Sequence, residues 1–156
     1  MFFKEVTSCH ICATEIKHRK DETPPPVCPA CGADLANRSS ELLYATMSCE
    51  HLKGALGVAP GELRITDKRL FWISRRDTGG NSLVGAITGK NADKVPVNIP
   101  LGEIERIGDF KNLVRIGITV HAKNGGAYNF NLENRGNPQI LKDFLAPYVG
   151  NVFEGQ

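Results

Sequence analysis

Four of the five cysteines fall within the first 31 residues, as two Cys-x-x-Cys pairs, Cys9/Cys12 and Cys28/Cys31. Two intervening residues let the chain turn in a tight knuckle with both sulfurs on one side. Two facing knuckles then bring four thiolates into a tetrahedron, the geometry of a closed structural zinc site. The fifteen residues between Cys12 and Cys28 suit such a site. A small residue follows each pair, Ala13 and Gly32, and glycine there lets backbone amides turn toward the sulfurs. The segment between the pairs is too polar to form a core. Some 35 residues of this kind bury too little apolar surface to fold without a metal.

Other uses of the four thiols fit less well. The start, "MFFKEVTSC", carries an acid almost at once and no sustained apolar stretch, so no signal peptide is expected. The expected compartment is therefore cytoplasmic, where thiols stay reduced. A pair closed on itself would also make a strained disulfide ring. A thioredoxin-like couple needs a helix after the pair, and "VCPACG" is followed by no helical pattern before "NRSS".

Residues 5–35 resemble the zinc-ribbon family, and the sequence divides into a ribbon over 1–36 and a second domain over 41–150, with turn formers clustered in "DLANRSS" between them. "CPACG" also resembles the second knuckle of rubredoxins, which makes iron the rival metal. Rubredoxins have a longer spacer and an aromatic core, whereas residues 4–36 contain no Phe, Tyr or Trp. The expected ligands are Cys9, Cys12, Cys28 and Cys31 holding zinc. With the shell complete, His10 and His18 read as exposed polar residues, and the lone Cys49 reads as a small buried apolar one. A closed site has no open coordination position, so it activates no water.

After residue 40 the pattern is that of strands. A strand is expected around Leu42–Ser48. "GELRIT" alternates, with Leu63 and Ile65 inward and Arg64 outward, and "DKRLFWIS" follows a tight turn near Asp67. The Gly-rich stretch 77–96 reads as a mobile loop. "VNIPLGEIERIGDF" gives two short strands broken by Pro100 and Gly102. Val114, Ile116, Ile118 and Val120 share one strand face, and after the "KNGG" turn Tyr128, Phe130 and Leu132 point inward with Asn129 and Asn131 outward. The final pattern is a helix with Asn137 as N-cap and Pro138 at its first position. Its expected apolar stripe is Ile140, Leu141, Phe144, Leu145 and Tyr148, and Pro147 and Gly150 should end it.

The phrases "GELRITDKRLFWIS" and "VNIPLGEIERI", followed by that helix, resemble the GRAM and bacterial pleckstrin-homology-like (PH-like) families over residues 41–150. The resemblance implies a mainly β (α+β) chain: a small zinc ribbon plus a bent antiparallel barrel capped by a C-terminal helix. Fold alone does not give function. A phosphoinositide-binding PH domain usually offers a base in the first hairpin loop and alternating bases on the second strand. Lys53 and Arg64 match those places, but Thr66 stands where the next base would be.

Composition excludes little more. Hydrophobic residues at 41% and charged residues at 23% describe a globular chain. No apolar run approaches the roughly 20 residues that span a bilayer. Residues 1–40 hold five bases and five acids, and the remainder fourteen and twelve, so neither part attracts nucleic acid by bulk charge. One local bias stands out: Arg64, Lys68, Arg69, Arg75 and Arg76 face a single acid, Asp67. With Lys53 these form a candidate anion- or lipid-binding face, placing the protein in the cytoplasm and peripherally at a membrane. Lys17, His18, Arg19 and Lys20 make a weaker nucleic-acid candidate, beside Asp21 and Glu22 and without an aromatic to stack a base.

No GxSxG, HExxH or phosphate-cradling loop occurs. Glu103 and Glu105 read as solvent-facing. The expectation is a non-enzymatic interaction module without a small-molecule substrate, whose PH-like domain meets a protein partner or, weakly, an anionic membrane. Nucleic-acid binding by the ribbon is the alternative.

Overall fold

The computed structural model describes residues 4–53, 57–74, 97–111, 113, 115–132 and 137–154. Strands β1 (Lys4–Ser8) and β2 (Glu15–Arg19) pair antiparallel around the first cysteine pair. A short bridge between Val27 and Asp34 frames the second pair. Then come β3 (Leu43–Lys53), β4 (Gly57–Thr66), β5 (Arg69–Ser74), β6 (Val97–Pro100), β7 (Ile104–Lys111), β8 (Ile116–Ala122), β9 (Ala127–Asn131) and helix α1 (Pro138–Val149). The seven later strands make one sheet in the order β6-β5-β4-β3-β9-β8-β7, with every recorded pairing antiparallel.

Two meanders therefore meet where β3 pairs with β9. The outer strands β6 and β7 are separated in the chain only by the 3-10 turn Leu101–Glu103. The sheet must curl strongly for its two edges to come so near. It does not close into the expected barrel. At the outer edge of β7 the Ile107 N–H donates to the Val152 carbonyl at 2.7 Å, and the Glu154 N–H donates to the Ile107 carbonyl at 3.0 Å. The chain's own tail thus occupies hydrogen-bonding groups that closure onto β6 would need.

Inside the curl, Leu63, Ile65, Leu70, Trp72, Ile118, Val120 and Phe130 are buried together with Leu141 and Leu145 of α1, which packs against β7 and β8. Cys49 is buried in the same core, as expected, and its carbonyl accepts the Trp72 indole N–H at 3.0 Å. Asn137 caps α1 by accepting from the Gln139 amide at 2.9 Å.

Several details differ from the sequence pattern. β3 runs on to Lys53. Pro147 lies within α1, which ends at Gly150 with φ +69°. Ile116, at the start of β8, stays exposed, and so does Ile140, because the apolar side of α1 is wider than the core it meets. Asn131 is buried, its amide donating to Glu50 Oε2 at 3.2 Å. The loop expected at 77–96 lies outside the described residues, as does Val114.

Candidate metal centre

Both knuckles are built the same way. The Ala13 N–H donates to the Cys9 carbonyl at 3.0 Å, and the Gly32 N–H donates to the Cys28 carbonyl at 2.9 Å. The residue closing each turn is left-handed, Ala13 at φ +60° and Gly32 at φ +77°. That is why small residues stand there. The four sulfurs are buried and lie within 4.8 Å of one another. Across the knuckles, Cys9 Sγ is 3.7 Å from Cys31 Sγ, and Cys12 Sγ is 3.6 Å from Cys28 Sγ. A tetrahedron with metal–sulfur distances near 2.3 Å has edges of about 3.8 Å, so four sulfurs so placed can hold a metal ion.

Electrostatics agree. Hydrogen bonds from the other thiols, Cys12 foremost, hold Cys9 well below the ordinary thiol range and Cys28 down to about 6. Cys12 is pushed up, chiefly by Cys28, and Cys31 is pushed up chiefly by Cys12. Four thiolates this close repel one another, so the cluster keeps protons until a cation displaces them. The Ile11 N–H approaches Cys9 Sγ at 3.4 Å, and Cys12 Sγ donates to Thr14 Oγ1 at 3.1 Å. His10 departs from the exposed reading: both its ring nitrogens are buried without a hydrogen-bond partner. His18 is half-buried, its Nε2 2.8 Å from Thr7 Oγ1.

No protein-family profile matches this chain, and no curated protein matches it. Among solved structures it is similar to the crystal structure of the C-terminal domain of an unknown protein from Leishmania infantum. Identity is 16% and the TM-score 0.48, over 71% of this chain and 87% of that one.

The predicted basic face divides. On β4 and β5, side chains alternate between the curled core and the opposite side of the sheet. That opposite side carries Glu62, Arg64 and Thr66 from β4 and Arg69, Phe71 and Ile73 from β5. It is not free, because the cysteine knuckles sit on it. Phe71 and Ile73 are buried with Cys9, Ile11, Cys12, Ile16, Cys28, Cys31, Ala33 and Leu35.

Arg64 and Arg69 use the same arrangement, each against a different knuckle. Arg64 gives its Nε and Nη2 to Glu62 Oε2, at 3.1 and 2.7 Å, and its Nη1 to the Ile11 carbonyl at 2.7 Å. Arg69 gives its Nε and Nη2 to the two Glu41 oxygens, at 2.7 and 3.2 Å, and its Nη1 to the Cys31 carbonyl. Glu41 is further held by the Thr66 hydroxyl at 2.7 Å. Burial opposes charge on Arg69, yet the Glu41 hydrogen bond and charge outweigh it and hold the guanidinium above its ordinary value. Arg64 and Arg69 therefore grip the knuckles rather than meet solvent.

Lys68 is exposed at the tip of the β4–β5 hairpin, whereas Arg75, Arg76 and the Lys53 side chain lie outside the described residues. Glu103 and Glu105 are exposed, as read. Glu41, Glu62, Phe71 and Ile73 were not singled out in the sequence. The available signal was the unbroken run Leu70–Phe71–Trp72–Ile73, since a strand apolar on both sides must be covered on both.

Proposed function

We propose that this chain is a non-enzymatic, zinc-bearing interaction module whose seven-stranded sheet belongs to the PH-like, GRAM-type architecture. The observation that carries the reading is the buried four-sulfur cluster built from two matching knuckles. Sulfur-only tetrahedral donors suit zinc, and a shell completed by four thiolates leaves no position for an activated water. Seven antiparallel strands followed by a single C-terminal helix support the PH-like assignment. Among the described residues no helix is long and apolar enough to cross a membrane.

A protein is the main partner in this reading, with the cytoplasm as its compartment. Leu42, Leu43 and Tyr44 stand exposed near the start of the sheet. Three successive apolar residues at the surface favour contact with protein over contact with an ionic headgroup. Association with anionic membrane is secondary. It rests on Lys68 with Arg75 and Arg76, since Arg64 and Arg69 are engaged, and is worth about 1 kcal/mol per base.

Elemental analysis of protein purified without chelator tests the metal: one zinc per chain is expected, and iron or no metal overturns the assignment. Vesicle sedimentation tests the lipid contact. Binding to anionic vesicles that weakens in salt and in the Lys68→Glu/Arg75→Glu/Arg76→Glu variant supports it, and equal partitioning to neutral and anionic vesicles removes it.

A further inference from the structure

The apolar cluster around the cysteines is not the ribbon's own. Apart from the ligands themselves it contributes Ile11, Ile16, Ala33 and Leu35, and β5 completes it with Phe71 and Ile73. Four side chains, one of them alanine, cannot hold 36 residues folded. The knuckle carbonyls of Ile11 and Cys31 are in turn fixed by Arg64 and Arg69, and Arg69 also interacts with the Cys31 thiol by hydrogen bond and charge.

From this we infer that metal binding and seating of the ribbon on the β4–β5 face are a single coupled equilibrium, with Arg64, Arg69 and Phe71 as positioning residues for a metal they do not touch. The inference rests on the zinc reading above and deepens it. The metal fixes the knuckles, the fixed knuckles present two carbonyls at the spacing of the two guanidiniums, and Phe71 and Ile73 are covered. Loss of the metal frees the knuckles and uncovers that face. Coupling of this kind is reciprocal, so weakening the seat weakens the metal site by the same factor.

Each guanidinium is pre-set for the task. A carboxylate holds its Nε and Nη2, which leaves Nη1 aimed at the knuckle. Lysine has no such fork, so it cannot keep both contacts in one geometry.

The test uses the whole chain. Zinc affinity is measured by competition with a chromophoric chelator for the wild type, Arg64→Ala, Arg64→Lys, Phe71→Ala and the surface control Glu105→Ala. Trp72, the single tryptophan, is buried in the sheet's inner core and reports by its emission whether the sheet remains folded. Expected results are a loss of affinity of about tenfold in Arg64→Ala and Phe71→Ala, partial recovery in Arg64→Lys, and no change in the control. On chelation, an apolar dye should bind the wild type while Trp72 emission stays put, and added zinc should reverse this. Equal zinc affinity in every variant overturns the coupling while leaving the zinc reading intact. So does chelation that exposes no dye-binding surface. Absence of zinc binding in the wild type overturns both.

Discussion

The guanidinium carbon of Arg69 sits 5.0 Å from the centre of the Phe71 ring, while its nitrogens reach Glu41 and the Cys31 carbonyl. Phe71 thus has a cation on one part of its surface and the cysteine-bearing segment on another. Arg69 joins a buried ion pair, an aromatic ring and a cysteine knuckle.

Arg69→Ala should therefore be among the most damaging single changes outside the cysteines. Truncation leaves the Glu41 carboxylate buried without its partner, which costs about 3 to 5 kcal/mol. Arg69→Lys should recover only part, because an ammonium keeps the charge and loses the two-pronged contact. Denaturant unfolding followed at Trp72 measures both, and a loss below about 1 kcal/mol in Arg69→Ala contradicts the network's role.

Ala13→Gly should stabilise the metal-bound protein slightly. A left-handed backbone costs a residue with a side chain about 1 to 2 kcal/mol, whereas glycine adds about 0.5 to 1 kcal/mol of entropy to lose on folding. The net gain is on the order of half a kcal/mol to one. It should appear as a higher melting temperature or slower zinc loss to chelator, and destabilisation would contradict the knuckle geometry.

Gly61→Ala and Gly117→Ala should both destabilise. A Cβ at 61 would run into the Ile73 carbonyl and the Trp72 ring, and one at 117 into the Phe130 carbonyl. Backbone obstacles cannot rotate away, so a cost of about 1 to 3 kcal/mol or more follows. Gly102→Ala meets nothing within 4 Å and is the control. Thermal unfolding of the three variants should separate the first two from the third.

Cys49 should be chemically silent while the protein is folded. Burial pushes its thiol up, so it stays protonated through the ordinary thiol range. With chelator present, four thiols should react with an alkylating agent and the fifth only on unfolding of the sheet. Because the folded state holds this proton more tightly than the unfolded chain does, the associated stability is complete below the ordinary thiol range and falls as pH rises above it. Unfolding measured from pH 7 to 10 should show that decline, and Cys49→Ala should flatten it.

The four cysteines and their grouping were legible from spacing alone, because Cys-x-x-Cys fixes its own local turn and needs no distant residue to explain it. Much of the later strand order was legible too. Leu63 and Ile65 alternate as a half-buried strand must, and Asn137–Pro138 marks a helix start through chemistry confined to neighbouring residues. Only the tertiary structure decided what Arg64 and Arg69 do. Their strand parity puts them opposite the core, and outward along a strand means solvent unless another segment arrives there. The segment that arrives lies 38 residues before Arg69, at Cys31, and no local pattern carries that distance. The openness of the sheet was decided in the same way. Whether β7 pairs with β6 or with the chain's own tail depends on where Val152 and Glu154 come to rest after the helix, and that is a contest between distant partners for the same hydrogen bonds.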